Sequence, residues 1–575
     1  MRITAIVAGT LFVAGCAHQT GTPARLSPAE EAAAAAAAAE PRELLPDEQV
    51  QHVLNRLAFG GRPGDAEEVR KLGVDRWIDL QLHPERIDDA KLDRLLSTMS
   101  AVSANTPGLI SSFDALQRAR RRIQRAARAQ TDSLVRRDAR RQVLAEDPSL
   151  AVAARTQQRL VGSLQAASLA RAVGSERQLD EVMVDFWENH FSVFAGKGLT
   201  RLFLADYDRD VIRPHALGKF RDLLGAVAKS PAMLFFLDNW QSAADSTHPT
   251  LASFRRPGAV ARRGARGPVR RQGAQRPPRR GLNENYAREL MELHTLGVDG
   301  GYTQADVINV ARALTGWTFK RQTGEFMFVP ALHDAGGKVV LGHKLPAGRG
   351  IEDGEDVLDI LARAPATAHF ITTKLARHFV SDVPPKALVD RCADTFQRTD
   401  GNIRSTLRCI VTSPEFFSRA AYRAKVKTPF EVVASALRAV GAEPDTTPRA
   451  AQIVARLGQP IYGRQTPDGW PDRGDAWMNT GAILNRINFG LMLAGGRVPG
   501  ARLNDWPELP RLRAEPRAEQ VDGVVRSILG GSVSPETRQV LMSGDNPMRT
   551  QKGTSLQGVP EIVGLALGAP EFQRR

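Results

Sequence analysis

Apolar residues recur every three to four positions along most of the chain, which is the spacing of the buried face of an α-helix. This spacing predicts helices over residues 47–57, 65–82, 178–194, 205–228, 283–297, 303–315, 353–363, 366–380, 385–398, 402–418, 427–440 and 475–494. Two of them have clear start signals, because Thr303 with Asp306 resembles a capping box and Pro429 follows Thr428 at a favoured first position. Helices therefore dominate the predicted fold.

The longest amphipathic pattern covers residues 109–147, where no Gly or Pro intervenes. The arginines between Arg118 and Arg141 would form the solvent face of this helix. Residues 159–173 would pack back on it as a hairpin partner.

Strand patterns are confined to two short segments, Phe326–Val329 and Val339–Leu341. We therefore predict an all-α fold, with one large multi-helix domain over residues 47–575 and a small β-hairpin. No internal repeat period is present.

The N-terminus follows a different pattern. A positive Arg2 precedes an apolar run, Ile3–Val13, that is too short to span a bilayer, and the sequence Val-Ala-Gly-Cys ends at Cys16. This predicts a signal peptide over residues 1–15 and resembles the lipobox of bacterial lipoproteins, in which the Cys16 thiol receives lipid. The alternative is an ordinary signal peptide cut near Ala17, with Cys16 discarded.

Residues 16–46 are rich in Ala and Pro and hold too few large apolar side chains to form a core, so they predict a tether. Acyl chains on Cys16 would hold the protein on a membrane, outside the cytoplasm. Because position 17 is Ala rather than Asp, resemblance to the lipoprotein sorting rule implies the outer membrane, facing the periplasm.

The net charge of +15 is distributed unevenly. The segment Arg255–Arg280 contains ten arginines and no acid, among Gly and Pro, and we predict a disordered insertion over about 245–281. In an exported protein this segment would contact anionic lipid or an acidic envelope polymer, and nucleic acid is not an expected partner. The alternative is a solvated insertion with no dedicated partner.

Only three cysteines occur, so the sequence contains neither a zinc-finger spacing nor a disulfide framework. Cys392 and Cys409 flank Gly401, which resembles the turn of a helical hairpin. An oxidising compartment would permit a bond between them. Their different apolar stripes favour two separate buried thiols.

Several motifs together resemble the bacterial domain of unknown function 1800, over roughly residues 48–495. They are Leu54–Gly60 (LNRLAFG), Trp187–Phe191 (WENHF), Asn283–Gly297 (NENYARELMELHTLG), Leu314–Trp317 (LTGW), Leu457–Pro460 (LGQP) and Gly469–Pro471 (GWP). The resemblance implies one large extracytoplasmic domain and no known reaction.

The candidate chemistry lies on two of these motifs. His190 and His294 each fall on the apolar face of a predicted helix, and if the two faces meet, the imidazoles are placed to share a proton relay or a metal. Glu284 or Glu289 would supply a carboxylate. The alternative is that each histidine is a core residue, hydrogen-bonded to a carbonyl or to Asn189.

No sequence motif requires a metal or another cofactor. Glu289 and His294 have the wrong spacing for a zinc helix, and no His-Glu-x-x-His, P-loop, dinucleotide fingerprint or nucleophile elbow occurs. Glu284, Arg288 and Glu292 form an i, i+4 ladder that is typical of an exposed face.

Three further groups are weaker candidates. His333 and Asp334, near Lys338, are typical of either a ligand loop or a tight turn. Lys374, Arg377 and His378 share a predicted helix whose charges we expect to face water. The Tyr462–Trp477 stretch, which includes Trp470, Trp477, Asp468 and Asp472 among Pro and Gly, suits a sugar-binding loop or a cap on the helical core.

Two functions follow. The first is a membrane-anchored lipoprotein that binds a polymer or another envelope protein as a scaffold. The second is an envelope hydrolase, metal-dependent or not, whose pocket lies between the helices of His190 and His294. The second requires the two imidazole rings to lie within about 12 Å of each other.

Overall fold

The structure is a computed structural model, and it describes residues 42–128, 148–254, 281–544 and 556–575. The predicted signal peptide, Cys16, nearly all of the tether, the segment Arg255–Arg280 and the second half of the long arginine-rich helix lie outside the described residues. Residues 245–254, which we assigned to the insertion, are described and include a short helix.

Helices form most of the described chain, as predicted. In the first half they are α1 (Pro46–Arg56), α2 (Asp65–Leu72), α3 (Val74–Gln81), α4 (Ala90–Ser97), α5 (Thr106–Arg128), α6 (Pro148–Gly174), α7 (Gln178–His190), α8 (Leu204–Asp206), α9 (Phe220–Lys229), α10 (Pro231–Phe236), α11 (Leu251–Phe254) and α12 (Glu284–Glu292). Helices α5 and α6 pack against each other, as expected for the predicted hairpin.

The second half continues in the same way. Its helices are α13 (Gln304–Ala313), α14 (Glu352–Arg363), α15 (Pro365–Phe379), α16 (Lys386–Arg398), α17 (Ile403–Val411), α18 (Pro429–Ala439), α19 (Pro448–Arg456), α20 (Thr480–Ala494), α21 (Leu509–Arg513), α22 (Arg517–Ile528), α23 (Pro535–Ser543) and α24 (Val559–Gly568). The predicted capping box at Thr303 is present, and Pro429 begins α18 directly after Thr428, as predicted. Within the described ranges, no helix combines the length and the apolar character needed to cross a bilayer.

The strands form two small antiparallel hairpins. Strand β1 (Trp317–Phe319) pairs with β2 (Phe326–Phe328), and β3 (Lys338–Val340) pairs with β4 (His343–Leu345). Both predicted strands are therefore found. Each of them pairs with a strand close to it in sequence, β1 or β4, which the alternation of apolar and polar residues did not predict.

Some predicted helices are too long because local breakers end them. The predicted helix over 65–82 is divided at Gly73, whose φ of +89° no helix accepts. Helix α7 ends at His190, and α12 ends at Glu292, so His294 lies in the turn beyond its helix. Both histidines consequently stand at helix ends, where backbone and side chain are available for contacts with other segments.

A single large cluster of buried apolar side chains extends from Leu44 to Phe572. It joins elements from nearly the full length of the described domain. Arg438 of α18 illustrates the packing, because its buried guanidinium donates to the carbonyls of Gly60 and Val173 and to the Asp65 carboxylate.

The two cysteines of the α16–α17 hairpin are bonded to each other. Cys392 and Cys409 form a disulfide, with 5.7 Å between their Cα atoms. Our interpretation of two separate thiols is wrong, because the Gly401 turn, at a φ of +72°, sets the two helices antiparallel with both sulfurs at one height.

Candidate functional site

A pocket of about 250 Å³ opens where α7, α15, the start of α18 and the Tyr462–Trp477 loop meet. Asp185 and Asn189 on α7 are four residues apart, as are Lys374 and His378 on α15, so each helix turns one face toward the pocket. The lining residues are Asp185, Phe186, Asn189, His190, Lys374, Arg377, His378, Thr428, Glu431, Gln459, Asp468, Trp470, Pro471, Asp472 and Arg473.

His190 is buried, and both of its ring nitrogens have partners. Nε2 donates to the carbonyl oxygen of His294 at 3.1 Å, and Nδ1 accepts from Nζ of Lys374 at 2.8 Å. This assigns the neutral tautomer with the proton on Nε2. Burial, together with the charge of Lys374, holds the pKa of His190 well below its ordinary value, so the imidazole stays neutral.

Lys374 is the counterpart of His190 on α15. Burial lowers the pKa of Lys374 to about 8, even though the negative charge of Asp472 acts in the opposite direction. A measurable fraction of this lysine is therefore a neutral amine near pH 7. Its hydrogen bond to His190 fixes the amine at the pocket wall.

His378, one turn along from Lys374, pairs with a carboxylate. Its Nδ1 lies 2.9 Å from Oδ2 of Asp472, and Nζ of Lys425 lies 2.8 Å from the other carboxylate oxygen. Burial alone would raise the pKa of Asp472, but His378, Lys425 and Arg575 together hold it well below its usual range. Asp472 is consequently a permanent anion that orients the imidazole of His378.

Asp185 differs from Asp472 in forming no ion pair with any of the described residues. Burial, reinforced by the negative charge of Glu431, raises the pKa of Asp185 to about 7. Its carboxyl group is therefore about half protonated at neutral pH. Glu431 itself pairs with Arg575, whose Nε lies 2.9 Å from Oε1.

A smaller cavity adjoins the pocket and shares Asp185, Asn189, Gln459 and Trp470 with it. Burial and the charge of Asp208 raise the pKa of Glu188 well above its ordinary value. The hydroxyl of Tyr462 donates to Glu188 at 3.0 Å.

Asn189 fastens the loop to α7. Its Nδ2 donates to the carbonyl of Trp470 at 2.9 Å, and its Oδ1 accepts from the Trp470 amide at 2.6 Å. Gly469 makes this approach possible, because a Cβ there would lie 2.2 Å from the carbonyl oxygen of Asn189. Asn189 is therefore a positioning residue for the pocket wall.

The two predicted histidines do meet. The ring centroids of His190 and His294 are 6.2 Å apart, well inside the 12 Å limit, although it is the backbone of His294 that contacts His190. The ring of His294 is buried, its Nε2 has no hydrogen-bond partner among the described residues, and burial lowers its pKa to about 3.

The predicted carboxylates lie elsewhere. Glu284 and Glu289 are absent from the pocket wall, and Glu284 accepts a hydrogen bond from Gln304 at 2.7 Å. Among the described residues, no group of three His, Cys, Asp or Glu is arranged to hold a metal. The carboxylates of the pocket are Asp185, Glu431, Asp468 and Asp472.

Two further interpretations change. Lys374, Arg377 and His378 line the pocket instead of pointing into water, and the sequence signal for this was the i, i+4 spacing of Lys374 and His378 beside the apolar stripe of α15. The His333 loop is a buried ion network rather than an open ligand site, because Lys338 pairs with Asp353 at 2.6 Å and Arg312 pairs with Asp334 at 2.8 Å.

The residues that build this pocket include Asn189 and His190 of the WENHF motif and Trp470 of the GWP motif. No curated protein and no solved structure matches the chain. A family model described as protein of unknown function (DUF1800) matches residues 52–574, which extends the resemblance seen in the sequence to the end of the fold. The chain therefore belongs to the DUF1800 family.

Proposed function

We propose that the protein is an enzyme of the hydrolase class, which uses Asp185 and Lys374 to move protons across the pocket. One observation carries this proposal. Two titratable groups of one small pocket have pKa values displaced in opposite directions toward neutrality, to about 7 for Asp185 and about 8 for Lys374. Groups tuned in this way are typical of general acid–base sites.

The proposed step is the attack of water on an electrophilic carbon or phosphorus. The neutral amine of Lys374 takes a proton from the attacking water, whose oxygen forms the new bond. The protonated carboxyl of Asp185 gives its proton to the leaving group as the old bond breaks. A proton returning from Lys374 to Asp185 restores both groups.

The other polar residues have supporting parts. His190 accepts a hydrogen bond from Lys374 and so fixes the amine, while the carbonyl of His294 fixes the tautomer of His190. These two histidines are positioning residues in the proposal. Both nitrogens of His190 already have protein partners, so His190 serves in the proposed step through its hydrogen bonds.

Trp470 suggests the class of substrate. Its indole forms one wall of the pocket, beside the carboxylates of Asp468 and Asp472. An aromatic face next to hydrogen-bonding carboxylates suits a sugar ring. We therefore expect a carbohydrate-bearing substrate with an ester or glycosidic bond.

Binding without turnover is the second candidate, and Trp470 also favours it. An envelope scaffold that holds a polysaccharide would need the Trp470 wall but not a protonated Asp185. Substitution of Asp185 should therefore remove the function of the enzyme but not that of the scaffold, whereas substitution of Trp470 should remove the function of the scaffold.

The experiment compares the wild type with Asp185→Asn, Lys374→Met and the exposed control Lys344→Met. The substrates are 4-methylumbelliferyl glycosides, esters and phosphates. We expect hydrolysis of at least one class, lowered roughly 100-fold or more by either pocket substitution and unchanged in the control. The scaffold function would be favoured over the enzyme if the wild type turned over none of these substrates but bound a sugar saturably, and if Trp470→Ala abolished that binding.

We also propose that the protein is a lipoprotein held at a membrane through lipid on Cys16, with its domain outside the cytoplasm and the outer membrane preferred. The Cys392–Cys409 disulfide supports this location, because such bonds persist in oxidising compartments. Mass spectrometry of the native protein tests it. A retained initiator methionine or an unmodified Cys16 would contradict it.

In that location Arg255–Arg280 would contact anionic lipid or acidic polymer rather than nucleic acid. Flotation with vesicles containing about 30% phosphatidylglycerol, with and without this segment, tests the contact. Equal flotation of the two proteins would count against it.

A further inference from the structure

A second cleft, of about 690 Å³, lies on the other side of the segment that begins α18. Lys427 lines this cleft, whereas the next residue, Thr428, lines the pocket described above. The cleft is large enough for a ligand of the size of a sugar phosphate or a disaccharide. The proposed hydrolysis does not use any residue of this cleft.

Lys427 is 4% exposed, yet its ammonium group has no ion pair among the described residues. Nζ donates to Oγ of Ser435 at 3.1 Å and lies 4.0 Å from the ring centroid of Phe572. Glu431 is close enough to attract it, but Glu431 is already paired with Arg575. A buried cation without a carboxylate is costly unless a ligand supplies the anion.

The acids of the cleft offset only part of its positive charge, because three of the four are paired with arginines and only Glu571 has no cation partner among the described residues. Asp47 and Glu67 lie against Arg70, and Glu508 lies against Arg511. The Glu571 carboxylate accepts hydrogen bonds from the backbone of Ser534 and the side chain of Thr537.

Several cations of the cleft have no ion-pair partner in the part of the chain that the structure describes. Arg526 and Arg574 are exposed and have no ion pair within the described ranges, and the guanidinium of Arg423 donates to the carbonyls of Leu529 and Ser532 rather than to an acid. The cleft therefore has an excess of positive charge, which is divided between exposed guanidinium groups and the buried amine of Lys427.

We infer that this cleft binds a small organic oxyanion, either a phosphate monoester or a carboxylate. Lys427 lies at the base of the cleft, and Arg526 and Arg574 lie at its mouth. The ammonium group supplies donors to the oxyanion, and the ring of Phe572 contacts the organic part. Burial lowers the pKa of Lys427 to about 7, and a bound anion would draw a proton onto the amine.

Titration calorimetry on the full chain tests this inference, with glucose 6-phosphate, glucuronate and neutral glucose as probes. We expect saturable binding of at least one of the two anions, weakened by salt, and none of glucose. Comparing the affinity for glucose 6-phosphate with that for glucuronate shows whether the cleft prefers a phosphate or a carboxylate. Absence of saturable binding for both anions would overturn the inference.

Variants then locate the binding. Lys427→Met keeps the length of the side chain and removes the charge, so we expect affinity to fall roughly tenfold or more. The surface double variant Arg526→Gln with Arg574→Gln should weaken binding several-fold, and it decides the question if Lys427→Met does not fold. The control is Arg456→Gln, which removes one positive charge, as Lys427→Met does, but lies outside the cleft. It should leave the affinity unchanged. Binding that survives both cleft variants, or that only Lys374→Met removes, would also overturn the inference.

Discussion

Nζ of Lys374 lies 2.8 Å from Nδ1 of His190, and the opposite nitrogen of that ring donates to the carbonyl of His294. Three distant segments of the chain are joined by this line of hydrogen bonds. Because the imidazole accepts at one nitrogen and donates at the other, it is held neutral between a cation and a carbonyl.

The first prediction follows from this pair. Lys374→Met removes the cation that lowers the pKa of His190 and frees Nδ1, so we expect that pKa to rise toward its ordinary value. Nuclear magnetic resonance titration of the His190 ring checks this. With the exposed Lys344→Met the titration should match the wild type, and an unshifted His190 in Lys374→Met would refute the coupling.

The second prediction concerns Asp185 and pH. Its pKa of about 7 in the folded protein lies above the ordinary 3.8, so the folded state binds this proton more tightly than the unfolded state. The wild type therefore loses stability as pH rises between those values, and the loss is complete above about pH 7. Asp185→Asn has no charge to bury, so it should be more stable than the wild type at about pH 8, by roughly 1 to 3 kcal/mol.

Urea unfolding at several pH values measures this difference. The advantage of Asp185→Asn should shrink as the pH falls from about 7 to below 3.8, where the carboxyl is protonated in both states. The exposed Asp299→Asn should change stability by less than about 0.5 kcal/mol at each pH. A pH-independent difference for Asp185→Asn would show that the titration of this carboxyl is not its source.

The third prediction concerns the disulfide. Cys392 and Cys409 are 17 residues apart, and opening a loop of that size costs about 3 kcal/mol of stability. The double variant Cys392→Ala with Cys409→Ala should lower the urea midpoint accordingly, and a reductant should lower it only in the wild type. Maleimide labelling of the denatured, unreduced protein should leave both cysteines unmodified, and labelling of both would disprove the bond.

The fourth prediction concerns Arg438. Its three donors reach Gly60, Val173 and Asp65, which a lysine ammonium on a flexible stem cannot reproduce in the same geometry. Arg438→Lys should therefore destabilise the fold by about 2 to 4 kcal/mol despite keeping the charge. The exposed Arg449→Lys is the matched control. Equal unfolding midpoints for the two variants would show that the three hydrogen bonds of Arg438 do not stabilise the fold as proposed.

The sequence predicted the features of this molecule that are local. Helical periodicity and the caps at Thr303 and Thr428 depend on neighbouring residues, and both appear in the structure. Helix ends at Gly73 and His190 were missed, because apolar spacing continues through positions where the backbone turns.

The candidate site was predicted in part. The apolar faces of two helices correctly brought His190 near His294, but Lys374 looked solvent-exposed because nothing near it in sequence marks α7 as its neighbour. Glu284 and Glu289 are near His294 along the chain but are not in the pocket wall, whereas Asp185 shares a helix with His190 and Asp472 comes from a remote loop. Such pairings depend on tertiary packing, which periodicity does not encode.

The pair of hydrogen bonds between the Asn189 side chain and the Trp470 backbone has a consequence for folding during protein synthesis. These residues are 281 positions apart, so a nascent chain emerging from the ribosome cannot close the pocket until most of the family domain has been made. Until then Asp185 remains in bulk water with the proton affinity of an ordinary carboxylate. The chemistry proposed for this protein would accordingly be absent from every polypeptide that ends before Trp470.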